Sequence, residues 1–252
     1  MTKELEFRVI EEAVGGVALD SAVLIYRGAN STAFATVHPI HHDDAGAASI
    51  LPGRPMTMLA VARLAKRLGS ARRPGGFVPM NLLYQDLTTM AWWVPPARRH
   101  IWFRCTGGEL GAPERGESVP HPGLVFAATS DRTWRVWAVK GCERPSEATP
   151  LFQAPYFNVY GTGAICQGNV DVPTGGFAES VADRIEAWNK AFFDSFFTHP
   201  NTQGPLVNYK GGPYRFWRDM LDGRHAVFPE SALVPLGTSL AQVLDRRGPD
   251  GG

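Results

Sequence analysis

The chain has 252 residues, of which 44% are hydrophobic, 11% aromatic and 19% charged, a globular composition that excludes a disordered or fibrous protein and allows a core without disulfide or metal staples. Lys and Arg total 25 against 24 Asp and Glu, so the net charge is +1 and a nucleic-acid coat or an anionic-lipid surface is disfavoured. The three cysteines, Cys105, Cys142 and Cys166, are an odd number that suits free thiols in a reducing cytoplasm better than a secreted disulfide framework.

The opening Met1-Thr-Lys-Glu-Leu-Glu has no apolar run behind it and lacks the layout of a secretory signal. Gly, Pro and charges interrupt every hydrophobic run well before the roughly 20 residues a membrane helix needs. Leu5 to Ile10, Ala22 to Arg27 and Thr32 to Val37 have strand character, the last two split by the turn-forming Gly28-Ala29-Asn30-Ser31. A polar break with His38, His41, His42, Asp43 and Asp44 follows; its spacing matches no closed zinc pattern, so a solvated loop is expected. Met56, Leu59, Val61, Ala62, Leu64, Ala65 and Leu68 then recur at helical spacing, with Pro55 suited to the start and Gly69 to the end.

From about 76 to 139 the texture is one of short strands: Val78 to Tyr84, Met90 to Val94, His100 to Cys105, Leu124 to Ala128 and Thr133 to Val139, an antiparallel meander in which Thr106 to Pro122 reads as a long polar loop. Prolines and glycines break up residues 141 to 176 and leave no room for a long regular element; such a segment is usually a functional loop. An amphipathic helix is expected from about 178 to 197 on Val181, Ile185, Trp188, Phe192, Phe193 and Phe196, with His199-Pro200-Asn201 as its terminator. Tyr214 to Leu221 and Ser239 to Leu244 are shorter helix candidates, and the tail from Arg246 should fray. The order places the chain in the α+β class, as a small β extension over 1–50 followed by one elaborated domain over 51–252.

The irregular segment holds the chemistry. Cys166 lies on a glycine-rich loop with the exposure a nucleophile needs, whereas Cys105 and Cys142, near the ends of predicted strands, read as structural. A thiol is already a few per cent thiolate at neutral pH, so acyl transfer to sulfur does not require a paired histidine. That is relevant because no His lies between His121 and His199. Asn158, eight residues before Cys166, offers a side-chain amide for an oxyanion, an interaction worth about 100- to 1000-fold in rate. Its alternative is a turn residue bonding its own backbone.

Tyr156-Phe157-Asn158-Val159-Tyr160-Gly161-Thr162-Gly163-Ala164-Ile165-Cys166 resembles the active-site motif of ubiquitin-conjugating enzymes (the UBC fold), in which His-Pro-Asn precedes the acceptor Cys by eight residues from the Asn. Tyr156 stands where that motif has His and Phe157 where it has Pro. More narrowly, Asn81-Leu-Leu-Tyr-Gln-Asp-Leu, Trp92-Trp93-Val-Pro-Pro, His121-Pro-Gly-Leu-Val-Phe, Arg135-Val-Trp-Ala, Ala154-Pro-Tyr-Phe-Asn-Val and Phe196-Phe-Thr-His-Pro-Asn201 are similar to the PRTRC system protein B family of bacteria. The resemblance implies a UBC-like meander flanked by helices, and a typically plasmid-borne cassette that also encodes a ThiF-type adenylating enzyme and a small ubiquitin-like protein. It implies no cofactor. It makes Cys166 the thioester-forming residue and Asn158 its helper, with Asp194 and His199, about 30 residues further on, as candidates for receiving the incoming amine. A non-catalytic scaffold is the alternative, since the motif His is absent; a cysteine hydrolase is a third, without a histidine locally placed for Cys166.

Overall fold

A computed structural model describes residues 19–27, 33–44, 46–57, 59–61, 63–64, 77–86, 88–129, 133–167, 170, 173 and 180–245. The chain divides into two compact units, Met1–Pro74 and Gly75–Gly252.

In the first unit, β1 (Ser21–Arg27) pairs antiparallel with β2 (Ala33–His42), Ser21 opposite Pro39 and Arg27 opposite Ala33, as a hairpin requires. The expected loop of histidines is instead the end of that strand, extended by pairing with β3 (Ala48–Ile50), and β4 (Arg54–Pro55) returns beside β2. The His38 ring bonds the Leu51 carbonyl at 2.9 Å and the Thr36 hydroxyl at 2.7 Å, so its polar atoms complete the sheet. Among the described residues no group of three or more His, Cys, Asp or Glu is placed to hold a metal ion. Residues 59–61 and 63–64 are helical; Thr57, not Pro55, starts the turn, its hydroxyl accepting from Ala60 N at 3.2 Å while its carbonyl accepts from Val61 N. The rest of that predicted helix, the strand expected at Leu5 to Ile10 and the tail from Arg246 lie outside the described residues.

The second unit is built on a six-stranded antiparallel sheet: β5 (Leu82–Gln85), β6 (Thr89–Val94), β9 (Gly123–Thr129), β10 (Trp134–Val139), β11 (Pro150–Gln153) and β13 (Pro235–Ser239), in spatial order 13-11-10-9-6-5. Both faces are covered, which is why these strands read as apolar runs rather than clean alternations. Trp92, Phe126, Trp134 and Val136 point into the larger core, whereas Ala91, Val125, Trp137 and Val139 point into a smaller one closed by Leu240 at the start of the short helix α3 (Leu240–Asp245). Over the larger core lie α1 (Val181–Phe193), α2 (Gly212–Leu221) and a three-stranded sheet of β7 (Ala97–Arg104), β8 (Glu114–His121) and β12 (Phe196–Phe197).

Two of these elements depart from the sequence-based expectation. The polar stretch Thr106 to Pro122 contains strand β8, in eight-residue register with β7. It lies at the edge of its sheet, where Pro120 costs no ladder bond, and Gly116 gives the ring of Trp102 space a Cβ would take, at 2.3 Å. The aromatic helix ends at Phe193, not 197. Ser180 and Asp183 form a capping box at its start, and Asp194 closes it with its backbone N–H on Lys190 O and Phe192 O. Phe196 and Phe197 then pair in parallel with Trp102 and Phe103, Phe197 inward and Phe196 outward, so His199-Pro200-Asn201 follows a strand rather than stopping a helix.

Candidate active site

The loop after β11 carries the site. Ala154, Tyr156, Phe157 and Val159 are fully buried, and the Trp217 indole on α2 donates to Pro155 O at 2.7 Å, so the entry to the loop is fixed in the core. Phe157 packs between the rings of Phe103 and Tyr214, with centroids at 5.3 and 5.0 Å. Tyr156 is enclosed by Phe192, Phe197 and Trp217, and its hydroxyl meets His121 Nδ1 at 2.6 Å. His121 Nε2 faces the Arg99 carbonyl at 3.2 Å, which can only accept, so the ring carries its proton there and Nδ1 accepts from the Tyr156 hydroxyl. Burial, with the nearby Arg99 charge, pushes His121 down to about 3, and burial likewise holds the Tyr156 hydroxyl far above the ordinary tyrosine range. The pair is neutral.

Residues 158 to 166 then form a tight hairpin. Val159 bridges Ile165, Tyr160 N donates to Ala164 O at 2.9 Å, Gly163 N donates back to Tyr160 O, and Cys166 N donates to Asn158 O at 2.7 Å. This register explains the eight-residue spacing: with Val159 opposite Ile165, Asn158 must stand opposite Cys166. The Val159 and Ile165 side chains are buried. Asn158, Tyr160 and Cys166 fall on the other face, the first and last half-buried and Tyr160 exposed. One arm of the hairpin is tied to the large sheet, since Val136 N donates to Gly163 O and Ile165 N to Trp134 O.

The other arm is tied by Asn158. Its φ of 63° is a left-handed conformation that Asn tolerates better than most residues. Its Nδ2 donates to Phe196 O at 2.9 Å, and its Oδ1 accepts from Thr198 N at 3.2 Å and from the Thr198 hydroxyl at 2.8 Å. The side-chain amide thus pairs with the edge of β12 as a peptide group would. One of its two amide hydrogens is used in this way.

The other sequence-predicted residues are distributed around this arrangement. His199 is exposed, its carbonyl accepting from Asn158 N at 3.0 Å and its Nδ1 on the Thr198 hydroxyl at 2.9 Å, so the backbone brings it to the base of the hairpin. Asp194 is exposed at the end of α1 and ion-paired with Lys190 one turn earlier. Cys105 is buried, its Sγ–H on Thr198 O at 3.1 Å, and burial pushes its thiol up to about 11. Cys142 departs from the structural reading: it is exposed on the turn after β10, beyond the last residue that packs against the sheet. Sequence reasoning passed over Tyr160, which the hairpin register places on the same face as Cys166 and whose hydroxyl the neighbouring Cys166 holds above the ordinary tyrosine range; the signal was its position two residues from Asn158.

A model of prokaryotic E2 family D matches residues 58–236, a span that takes in the large sheet from β5 to β11, the hairpin and helices α1 and α2. The chain belongs to that family. Prokaryotic E2 family D thus gives the mixed α+β architecture its E2-like character and the chain a role connected with ubiquitin-like conjugation. No curated protein and no solved structure gives a significant match. Among the described residues no helix is long and apolar enough to cross a membrane.

Proposed function

We propose that the protein is a conjugation carrier, in which Cys166 accepts the C-terminus of a small ubiquitin-like protein as a thioester from a ThiF-type adenylating enzyme and passes it to an amine or another thiol. The observation that carries the reading is the hairpin register, which holds a half-exposed Cys166 opposite Asn158 on the solvent face of a loop anchored at both arms. In loading, the Cys166 thiol gives up its proton to solvent and its sulfur attacks the activated acyl carbon; a carbon–sulfur bond forms, and the bond to the previous leaving group breaks with its electron pair. In discharge, an amine nitrogen attacks the same carbon and loses a proton, and the Cys166 sulfur departs and is reprotonated. No cofactor beyond the partners is invoked, and a cytoplasmic location follows from chemistry that needs a reduced thiol.

Asn158 has two tasks in this reading. It braces the hairpin against β12, and its second amide hydrogen serves the oxyanion of the tetrahedral intermediate. His199, joined to Asn158 through its backbone, is one amine-side candidate; Asp194, engaged by Lys190, is the other. The burial of Tyr156 against His121 favours a second reading, a scaffold that only binds its cassette partners, because the position of the motif His here serves the core.

The two readings part in one experiment. Incubated with ATP, the neighbouring adenylating enzyme and the small modifier, the carrier yields a thiol-sensitive band on a non-reducing gel that vanishes in Cys166→Ala and persists in Cys105→Ala and Cys142→Ala. A scaffold yields no such band with any variant.

A further inference from the structure

We propose that Thr198 is a positioning residue that fixes the His199 ring in the tautomer able to take a proton from the incoming amine. The inference rests on the carrier reading and adds to it what orients the amine-side histidine. The hydrogens along one chain of contacts decide the tautomer. The Phe196 carbonyl can only accept, so the group that meets it at 2.9 Å is the Asn158 NH2, and the Asn158 side-chain oxygen therefore faces Thr198. That oxygen accepts from Thr198 N at 3.2 Å and from the Thr198 hydroxyl at 2.8 Å, which uses the single hydroxyl hydrogen. The 2.9 Å contact between the same hydroxyl and His199 Nδ1 must then be donated by the ring. Neutral His199 thus carries its proton on Nδ1, and Nε2 keeps a lone pair on an exposed side chain.

Each part of this chain is held by the fold. Phe197 is buried next to Thr198, and the Thr198 carbonyl accepts from Cys105 Sγ at 3.1 Å. Pro200 disfavours helical backbone at His199. His199 O accepts from Asn158 N, and Asn158 O accepts from Cys166 N, so one hydroxyl joins the ring to the residue that stands opposite Cys166. The other amine-side candidate, Asp194, is ion-paired with Lys190 instead. In discharge, the amine nitrogen attacks the thioester carbon and forms a carbon–nitrogen bond, while its surplus proton passes to His199 Nε2. The carbon–sulfur bond breaks, and the imidazolium returns that proton to the departing Cys166 sulfur. The Nδ1–H stays on the Thr198 hydroxyl through both transfers, so the ring keeps its orientation.

The first readout needs the protein alone. At about pH 8, above the ordinary histidine value of about 6.5, a long-range proton–nitrogen correlation spectrum distinguishes the two ring nitrogens, and the His199 signals are assigned by their loss in His199→Ala. Wild type and Thr198→Ser should carry the proton on Nδ1, whereas Thr198→Val, which keeps the shape and removes the hydroxyl, should shift it toward Nε2. A wild-type ring protonated on Nε2 overturns the proposal. In the loaded protein, Thr198→Val should slow discharge to lysine about fivefold relative to discharge to a thiol, which ionises without a base, and Thr198→Ser should restore it; the loss is a small part of the roughly 100- to 10,000-fold that a positioned base supplies. Added to His199→Ala, Thr198→Val should slow lysine discharge no further. A hydroxyl that only supported the loop would slow both acceptors alike or add to His199→Ala; either result, or an unchanged rate, overturns the proposal. The Nδ1–H tautomer without any thioester band would refute the carrier reading and leave the contact of Thr198 with His199 standing, whereas a Cys166-dependent band with the proton on Nε2 would do the reverse.

Discussion

Tyr156 occupies the position at which the conjugating-enzyme motif has a histidine, and the structure shows what replaces it. The hydroxyl finds a histidine after all, His121, 35 residues earlier in the chain at the end of β8. The site therefore has a neutral, hydrogen-bonded polar pair beneath the loop. Removing the hydroxyl in Tyr156→Phe leaves His121 Nδ1 buried without a donor, and we predict a loss of about 1–3 kcal/mol in denaturant unfolding; an unchanged midpoint would show that the pair does not hold the loop. The pH dependence follows from the lowered His121 value. Between about 3 and the unfolded value near 6.5, the unfolded chain binds a proton that the folded one does not, so stability falls as pH drops through that window. Compared with His121→Asn, the wild type should lose about 1.4 kcal/mol more per pH unit between pH 6 and 4. Parallel stability curves for the two proteins would contradict a neutral, buried His121.

At the scale of elements, the hairpin depends on a glycine as much as on its asparagine. Gly163 has φ +83°, and a Cβ built there would lie 2.5 Å from the Trp137 indole nitrogen, inside the smaller core. Trp137 is buried and cannot swing aside. Gly163→Ala should therefore cost about 2–4 kcal/mol and loosen the arm that carries Cys166, seen as a lower urea midpoint together with faster hydrogen exchange at Ile165 and Cys166. A variant within 0.5 kcal/mol of wild type, on the order of a neutral surface change, would mean that the loop is not packed on Trp137. Much of this architecture was legible in sequence. The apolar runs Met90 to Val94, Leu124 to Ala128 and Thr133 to Val139 read as strands because both faces of their sheet are buried, and Asn158 with Cys166 could be singled out because a hairpin fixes their spacing. β8 was hidden because an edge strand can carry Glu and Ser outward and tolerate a Pro, which removes the alternation that marks a strand in sequence. The aromatic helix was extended too far because Phe196 keeps helical spacing although Asp194 has already closed the last turn. The bonds of Asn158 to Phe196 and Thr198 span 38 and 40 residues, and no local pattern announces a contact of that range.

For the molecule as a whole, the account turns on which sulfur carries an acyl group. Of the three thiols, Cys105 is sealed under Thr198, whereas Cys142 is exposed and Cys166 half-buried, so exposure alone would choose Cys142. All three lie within the E2-like span, but Cys166 is the one that stands opposite Asn158 in the hairpin, on a loop tied at both arms. His199→Ala should load normally and discharge to lysine more slowly, by several-fold if its ring receives the amine proton; equal discharge would place that step elsewhere. The most direct measurement is to trap the loaded protein at acidic pH after reaction with the adenylating enzyme, modifier and ATP, digest it, and map the modified peptide by mass spectrometry. The account predicts the modifier's C-terminal fragment on the peptide containing Cys166. Its appearance on the Cys142 peptide, or on no cysteine at all, would contradict it.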